Sequence, residues 1–247
     1  MQASNKSAAA AGLTQAREEF ARLANAVLDG AIGRTVRCTP RRRTVLLTVA
    51  GRVCFAKVRD GYGRAAKAEW QWLHDLPKVG IAVPEPLALL QRGRRSVLVT
   101  GAAAGRPLDA AFAEAIARGE DAAVADFVCG PVARAVAALH GSGLVYRDLY
   151  WNHVFADGLA PGSGLVFLDV ERVFRPWWRL QRWQVKDLAG LASSFPGRVP
   201  LRVATRFLRV YLGSAGSGPR GRARRRRWLR LVHAKSVRIR AHVPKYG

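Results

Sequence analysis

The sequence predicts an α+β protein in two lobes, a small β-rich N-terminal lobe carrying one helix and a mainly helical C-terminal lobe. Three observations carry that expectation. Short β-branched runs separated by turn residues crowd residues 34 to 104. Ala-rich segments with helical spacing dominate residues 105 to 247. Within the second region two brief apolar runs, Leu144-Val-Tyr146 and Leu165-Val-Phe-Leu168, each precede an aspartate, Asp148 after Arg147 and Asp169 directly.

Residues 1 to 33 read as an N-terminal extension: a disordered Ala/Ser start over residues 1 to 12, then Leu13 to Leu28 with Leu13, Ala16, Phe20, Leu23, Ala24 and Val27 at the spacing of one amphipathic helix. Thr35 to Thr39 and Thr44 to Val49 are β-rich, and Ala50-Gly51 turns the second run into Val53 to Val58 as a hairpin. Arg64 to Leu76 is helical in pattern and stops before Pro77, while Ile81-Ala-Val-Pro-Glu-Pro86 must be extended because each residue before a proline avoids the helical region. Ser96 to Thr100 is a further strand, and Gly101-Ala-Ala-Ala-Gly105 a flexible link. Beyond it Leu108 to Ile116 and Ala122 to His140 read as helices, the second interrupted near Gly130-Pro131. Gly213 to Gly221 reads as a loop, and Arg220 to Arg230 carries seven arginines around Trp228. No internal repeat is present.

The 247-residue chain is 49% apolar, enough for a sizeable core. Its 41 Lys and Arg against 17 Asp and Glu leave a formal charge of +24, which points to an anionic partner: nucleic acid, an anionic membrane surface or a phosphorylated substrate. Arg-rich coding bias accounts for part of the same excess. Cys38, Cys54 and Cys129 are widely spaced and read as buried, reduced thiols, with no zinc-type spacing. The first residues are too weakly apolar for a signal-peptide core, and no run approaches the roughly 18 residues that span a bilayer. These features place the protein in the cytoplasm, with contact at the inner face of the cytoplasmic membrane as the one departure considered.

The two aspartates have the layout of a phosphoryl-transfer site, where the protein supplies positioned groups that neutralise polyphosphate charge and aim an acceptor hydroxyl. Lys57 ends the apolar strand Val53-Cys-Phe-Ala-Lys-Val58 and suits the α/β-phosphates, the alternative being a solvated strand-end lysine. Glu69, twelve residues on, is placed to pair with it. Asp148 reads as the catalytic base, against the plain alternative of a turn aspartate capping backbone N–H groups. His153 stands five residues later, with Asn152 adjacent, and either can face a metal. Asp169 offers a metal-binding carboxylate, and Glu171 reads as a second ligand or, the reading preferred, a solvated neighbour. Asp187 reads as beginning a helix, where an acid often only caps the first turn, and Arg147, beside Asp148, as structural support.

Lys57, Glu69, Tyr146-Arg-Asp-Leu-Tyr-Trp-Asn-His153, Leu168-Asp-Val-Glu-Arg172 and Lys186-Asp-Leu-Ala-Gly-Leu191 together resemble the lipopolysaccharide core kinase family, the heptose and Kdo kinases of Gram-negative bacteria. The resemblance spans roughly residues 34 to 212. It implies a bilobal protein-kinase-like fold, ATP with Mg²⁺, and transfer of the γ-phosphate to a sugar hydroxyl of the lipopolysaccharide core or a related anionic glycolipid. Asp187 then braces the catalytic-loop backbone.

Three departures limit the resemblance. No Gly-rich loop precedes Lys57, so the nearest phosphate cover is Thr39-Pro-Arg-Arg-Arg43, whose Arg41, Arg42 and Arg43 suit phosphate or form a solvated hairpin tip. Tyr146 stands where kinases commonly carry histidine. Only seventeen residues separate Asp169 from Asp187, which disfavours a regulated protein kinase. Arg220 to Arg230 with Trp228 suits an interfacial basic stretch against a membrane, or a solvated loop and helix end. The competing functions are a protein Ser/Thr or small-molecule kinase, and an inactive kinase-like protein that binds nucleic acid or membrane through charge alone.

Overall fold

The computed structural model of the chain describes residues 18–61 and 63–242. The expected Ala/Ser start and residues 13–17 of the amphipathic segment lie outside the described residues. The chain divides into two compact units, one comprising residues up to His74 with Pro84–Ala102, the other Asp75–Val83 with everything from Ala103 onward.

The first unit holds helix α1 (residues 18–29) and strands β1 (Arg34–Thr39), β2 (Arg42–Val49) and β3 (Arg52–Asp60). Helix α2 (Arg64–Asp75) and strands β4 (Pro86–Arg92) and β5 (Arg95–Gly101) follow. The five strands form one antiparallel sheet in the order β1-β2-β3-β5-β4. Ala50 and Gly51 both take positive φ, 46° and 76°, as the tight β2–β3 hairpin requires. Alternate residues then share a face: Val45, Leu47 and Val49 of β2, Cys54, Ala56 and Val58 of β3, and Val97 and Val99 of β5 form the core. Ala24, Val27 and Leu28 of α1 join that same core. The helix is therefore part of this unit and not an extension ahead of it, each large buried side chain contributing on the order of 1.5–3 kcal/mol.

The boundary expected after residue 104 falls between Ala102 and Ala103, and the segment Asp75–Val83, expected with the strands before it, belongs to the second unit. That segment makes a 3₁₀ turn over Leu76–Val79, Leu76 and Ile81 are fully buried, and the Phe167 N–H donates to the Ala82 carbonyl at 2.8 Å. Helices α3 (Leu108–Ala117), α4 (Asp121–Phe127) and α5 (Ala133–Gly141) accompany a small sheet of β6 (Arg106–Pro107), β7 (Val154–Ala156) and β8 (Leu165–Phe167). Helices α6 (Leu180–Ser194), α7 (Leu201–Leu212) and α8 (Gly218–Arg240) complete it.

The break expected at Gly130-Pro131 is a π turn, Val128–Val132, whose wider hydrogen-bond spacing absorbs the N–H that Pro131 lacks. Residues Asp121–Gly141 consequently form one 21-residue helical run long and apolar enough to cross a membrane by length and composition. That corrects the reading that no run approaches such a length. Its Phe127, Val132, Val136 and Leu139 are buried, so it serves as a core helix of this unit.

The Arg-rich C-terminal stretch is also corrected. Pro219 sits in the first turn of α8, where its missing N–H costs nothing, and the helix runs 23 residues through the arginines. Trp228 is 4% exposed and lies edge-on to Tyr211, so it is a core residue and not an interfacial one. Arg240, near the end of α8, donates to the Ala192 and Ser193 carbonyls in the last turn of α6.

Candidate active site

In the first unit the strand period places Lys57 and Arg59 on one face of β3, opposite the core face that carries Ala56 and Val58. Both reach Glu69 on α2. The Lys57 ammonium is 2.5 Å from Glu69 Oε1 and the Arg59 guanidinium 2.6 Å from Oε2, and the Glu69 side chain is 2% exposed. One buried carboxylate thus holds two cations, which fixes the direction of the Lys57 side chain. Glu69→Gln keeps one oxygen acceptor and removes the charge. It is expected to lower unfolding free energy by about 1–3 kcal/mol in urea denaturation.

The Arg41–Arg43 hairpin is split. Arg41 is exposed in the turn and Arg42 half-buried at the start of β2. Arg43 donates to the Val27 carbonyl at 2.9 Å, at the C-terminal end of α1, where a guanidinium satisfies a carbonyl the helix leaves open. That hydrogen bond to α1 sets Arg43 apart from Arg41, which is exposed in the turn.

In the second unit the loop Tyr146–His153 is held from α6. Asp187 has no exposed surface, and its Oδ2 and Oδ1 accept the Tyr146 and Arg147 N–H groups at 2.6 and 2.7 Å. His140 Nε2 lies 3.1 Å from the same carboxylate, and His140 Nδ1 is 2.9 Å from the Tyr211 hydroxyl, whose pKa burial pushes well above the ordinary tyrosine value. Lys186 donates to the Arg147 carbonyl. Two adjacent α6 residues therefore fix three backbone groups of the loop, and Arg147 is held at φ 76°, a conformation sparsely populated by non-glycine residues. Gly190 lets α6 come this close, since a Cβ there would fall 2.4 Å from the Leu149 carbonyl oxygen.

Asp148 projects from that loop with its side chain 20% exposed. Its Oδ2 accepts from Arg172 at 2.7 Å, and its Oδ1 is 3.6 Å from the Lys186 ammonium. Burial pulls the Lys186 pKa below the ordinary lysine value, with Asp148 and Asp187 opposing. His153 Nδ1 lies 2.9 Å from the Asp148 backbone carbonyl, which makes Nδ1–H the donor and leaves Nε2 as the acceptor in the neutral ring. Asn152 beside it is exposed.

The loop is tied to the second aspartate through backbone. Leu168 N–H donates to the His153 carbonyl at 2.8 Å, and the buried Tyr146 hydroxyl donates to the Leu168 carbonyl. Asp169 follows at φ 61° and ψ 47°, a left-handed turn that opens the 3₁₀ segment Val170–Arg172. Its carboxylate lies within 4.8 Å of that of Glu171. Glu171, read from sequence as a solvated neighbour, is half-buried beside it.

Four residues of this geometry had no role in the sequence reading. Arg59 was open to the period-two rule. Lys186 and Arg172 stood inside quoted motifs, yet only the tertiary fold turns them to Asp148, and no local pattern marks His140.

The model of the Lipopolysaccharide kinase (Kdo/WaaP) family matches residues 59–211. Among solved structures, WaaP in complex with acyl carrier protein is similar at 26% identity and a TM-score of 0.72, over 89% of this chain and 96% of that one. An aminoglycoside-3'-phosphotransferase of type VIII is similar in fold at 20% identity and a TM-score of 0.55, over 81% of this chain and 93% of that one. No curated protein matches the chain in sequence. The family match takes in Glu69, the Tyr146–His153 loop, Asp169 and Asp187, and it covers more than half of the chain. The chain belongs to the lipopolysaccharide kinase (Kdo/WaaP) family, phosphotransferases with a sugar hydroxyl as acceptor, and has their protein-kinase-like α+β fold.

Proposed function

We propose that this chain transfers the γ-phosphate of ATP to a hydroxyl of a core sugar of lipopolysaccharide, a heptose or Kdo. The observation that carries the reading is Asp148: a partly exposed carboxylate on a loop fixed by Asp187, with Arg172 on one oxygen and Lys186 near the other.

The donor set suits a hard divalent cation. Asp169 and Glu171 offer carboxylate oxygens close together, as Mg²⁺ prefers. His153 is the poorer ligand, because imidazole favours softer metals and its Nδ1 is engaged by the Asp148 carbonyl. Its Nε2 is better used on a phosphate oxygen, with Asn152 the remaining candidate beside it. Held by Asp169 and Glu171, Mg²⁺ would supply positive charge that offsets the negative charge of the phosphates. Lys57, aimed by Glu69, takes the α/β-phosphates, with Arg41 and Arg42 as further cations. Asp148 orients the sugar hydroxyl and accepts its proton, while Lys186 and Arg172 favour the negative charge that develops there.

Lys186 gives this reading a pH signature. Because its pKa is lowered, its proton leaves below the ordinary lysine value, and the positive charge beside Asp148 is lost as pH rises. The account expects kcat to fall on the alkaline side below that ordinary value. Lys186→Arg keeps its charge throughout and should move that limb to higher pH in a pH–rate profile.

The short interval between Asp169 and Asp187 supports a glycolipid acceptor over a regulated protein substrate. A cytoplasmic location, at the inner face of the membrane where the acceptor is assembled, follows from the same reading. The exposed arginines of α8 fit an acidic protein partner, and an acyl carrier protein, the partner of the similar WaaP, is the candidate. The test is incubation with Mg²⁺, γ-labelled ATP and lipopolysaccharide from a strain lacking this gene, beside aminoglycoside and protein acceptors. Label in the glycolipid with wild type and not with Asp169→Ala is expected. Label confined to aminoglycoside or protein would replace the acceptor, and no ATP turnover would favour the inert binding protein.

A further inference from the structure

Between Glu171 and Asp187 the chain carries five basic residues, Arg172, Arg175, Arg179, Arg182 and Lys186, and no acidic one. At the centre of that stretch lie Trp177, 89% exposed, and Trp178, 50% exposed. Isolated apolar residues at a surface are ordinary. Two adjacent tryptophans are not, since each has about 150–250 Å² to bury.

Their exposure is built in. On the N-terminal side Phe174 exchanges two backbone hydrogen bonds with Val145, at 3.0 and 3.1 Å, and Arg175 donates to the Ser142 carbonyl at 2.8 Å. Phe174 also packs edge-on against Trp183. On the C-terminal side helix α6 begins at Leu180, directly after Arg179. The two indoles lie side by side with centroids 5.3 Å apart, and the Arg179 guanidinium sits 4.1 Å from the Trp178 centroid. Trp177 and Trp178 thus form the tip of a segment pinned at both ends, apolar at its crest and positive at its flanks.

We propose that Arg175–Arg182 is a membrane-docking tip: Trp177 and Trp178 enter the headgroup region of an anionic phospholipid bilayer while Arg175, Arg179 and Arg182 meet its phosphates. Amphipathic indoles settle at that depth, and basic side chains beside them gain from the negative surface potential. Because Trp228 is buried, α8 supplies charge without an aromatic anchor, so among the described residues the tip is where both features coincide. Phe174 stands three residues before Trp177 and its bridge partner Val145 three residues before Asp148, so docking fixes the segment beside the catalytic loop against the surface that carries a glycolipid. That consequence rests on the proposed acceptor; the docking itself does not.

The test uses the full chain without nucleotide or acceptor, so its failure and a failure of the kinase reading are separate results. The probes are vesicles of phosphatidylcholine alone and with about one third phosphatidylglycerol, some with brominated acyl chains. Wild type is expected to sediment with the anionic vesicles and to have its tryptophan fluorescence quenched by the brominated lipid. W177A/W178A should lose that quenching and bind at least about tenfold more weakly, with its unfolding midpoint unchanged because both side chains are exposed. R226A/R227A on α8 should weaken binding yet keep the quenching. Equal binding and quenching for W177A/W178A and wild type would overturn the proposal. So would wild type that ignores vesicles while an acidic protein shields its tryptophans.

Discussion

Asp148→Asn is expected to lower kcat by about 10²–10⁴, the usual contribution of a positioned general base, while leaving the KM for nucleotide and the unfolding midpoint close to wild type. The amide keeps the shape and one oxygen acceptor, so Arg172 retains a partner and the loop, held through Asp187, has no reason to move. What is lost is the basic oxygen that takes the hydroxyl proton and the negative charge that Arg172 and Lys186 surround. Steady-state kinetics with saturating glycolipid separates the two parameters. Near-normal kcat in a folded Asp148→Asn protein would remove Asp148 from the chemistry.

Asp187→Ala is expected to cost about 3–5 kcal/mol of unfolding free energy, the range for breaking a buried charged network, and to abolish turnover in whatever protein folds. Three groups lose their partner together: the Tyr146 and Arg147 N–H groups and His140. The Arg147 conformation at φ 76° then loses the acceptor of its N–H and keeps only the Lys186 hydrogen bond to its carbonyl, and Asp148 is the next residue. Asp187→Asn retains one acceptor oxygen but turns an NH₂ toward an N–H or the imidazole. It should recover part of the stability and little of the rate. Urea denaturation followed by intrinsic fluorescence measures the first effect. A wild-type-like midpoint for Asp187→Ala would show that the loop is held by something else.

The sequence was most readable where local pattern and tertiary role coincide. The apolar run Val53 to Val58 marked the strand that carries Lys57, the helical pattern after Gly63 put Glu69 on α2, and the apolar runs before Asp148 and Asp169 marked two loop carboxylates. It was least readable where long-range packing overrides composition. Gly213 to Gly221 has the composition of a loop, yet Pro219 is a helix-start residue and the helix it opens is held by Trp228 against Tyr211. Arg172 and Lys186 reach Asp148 from 24 and 38 residues away in sequence, a distance over which no spacing rule operates. Arg43 read as one of three equivalent arginines until α1 brought a bare carbonyl to it. The membership of Asp75–Val83 was hidden for the same reason, since the hydrogen bond from Phe167 to Ala82 joins residues that no local pattern connects.

The central claim is that Asp148 directs phosphate onto a sugar hydroxyl of the lipopolysaccharide core. Its most direct test is ³¹P NMR with mass spectrometry of lipopolysaccharide from the deletion strain after reaction with ATP, Mg²⁺ and either wild type or Asp148→Asn. The account predicts a phosphomonoester at one hydroxyl of a core heptose or Kdo with wild type and an unaltered core with the variant. An unaltered core in both, with ADP formed or phosphate found elsewhere, would contradict it.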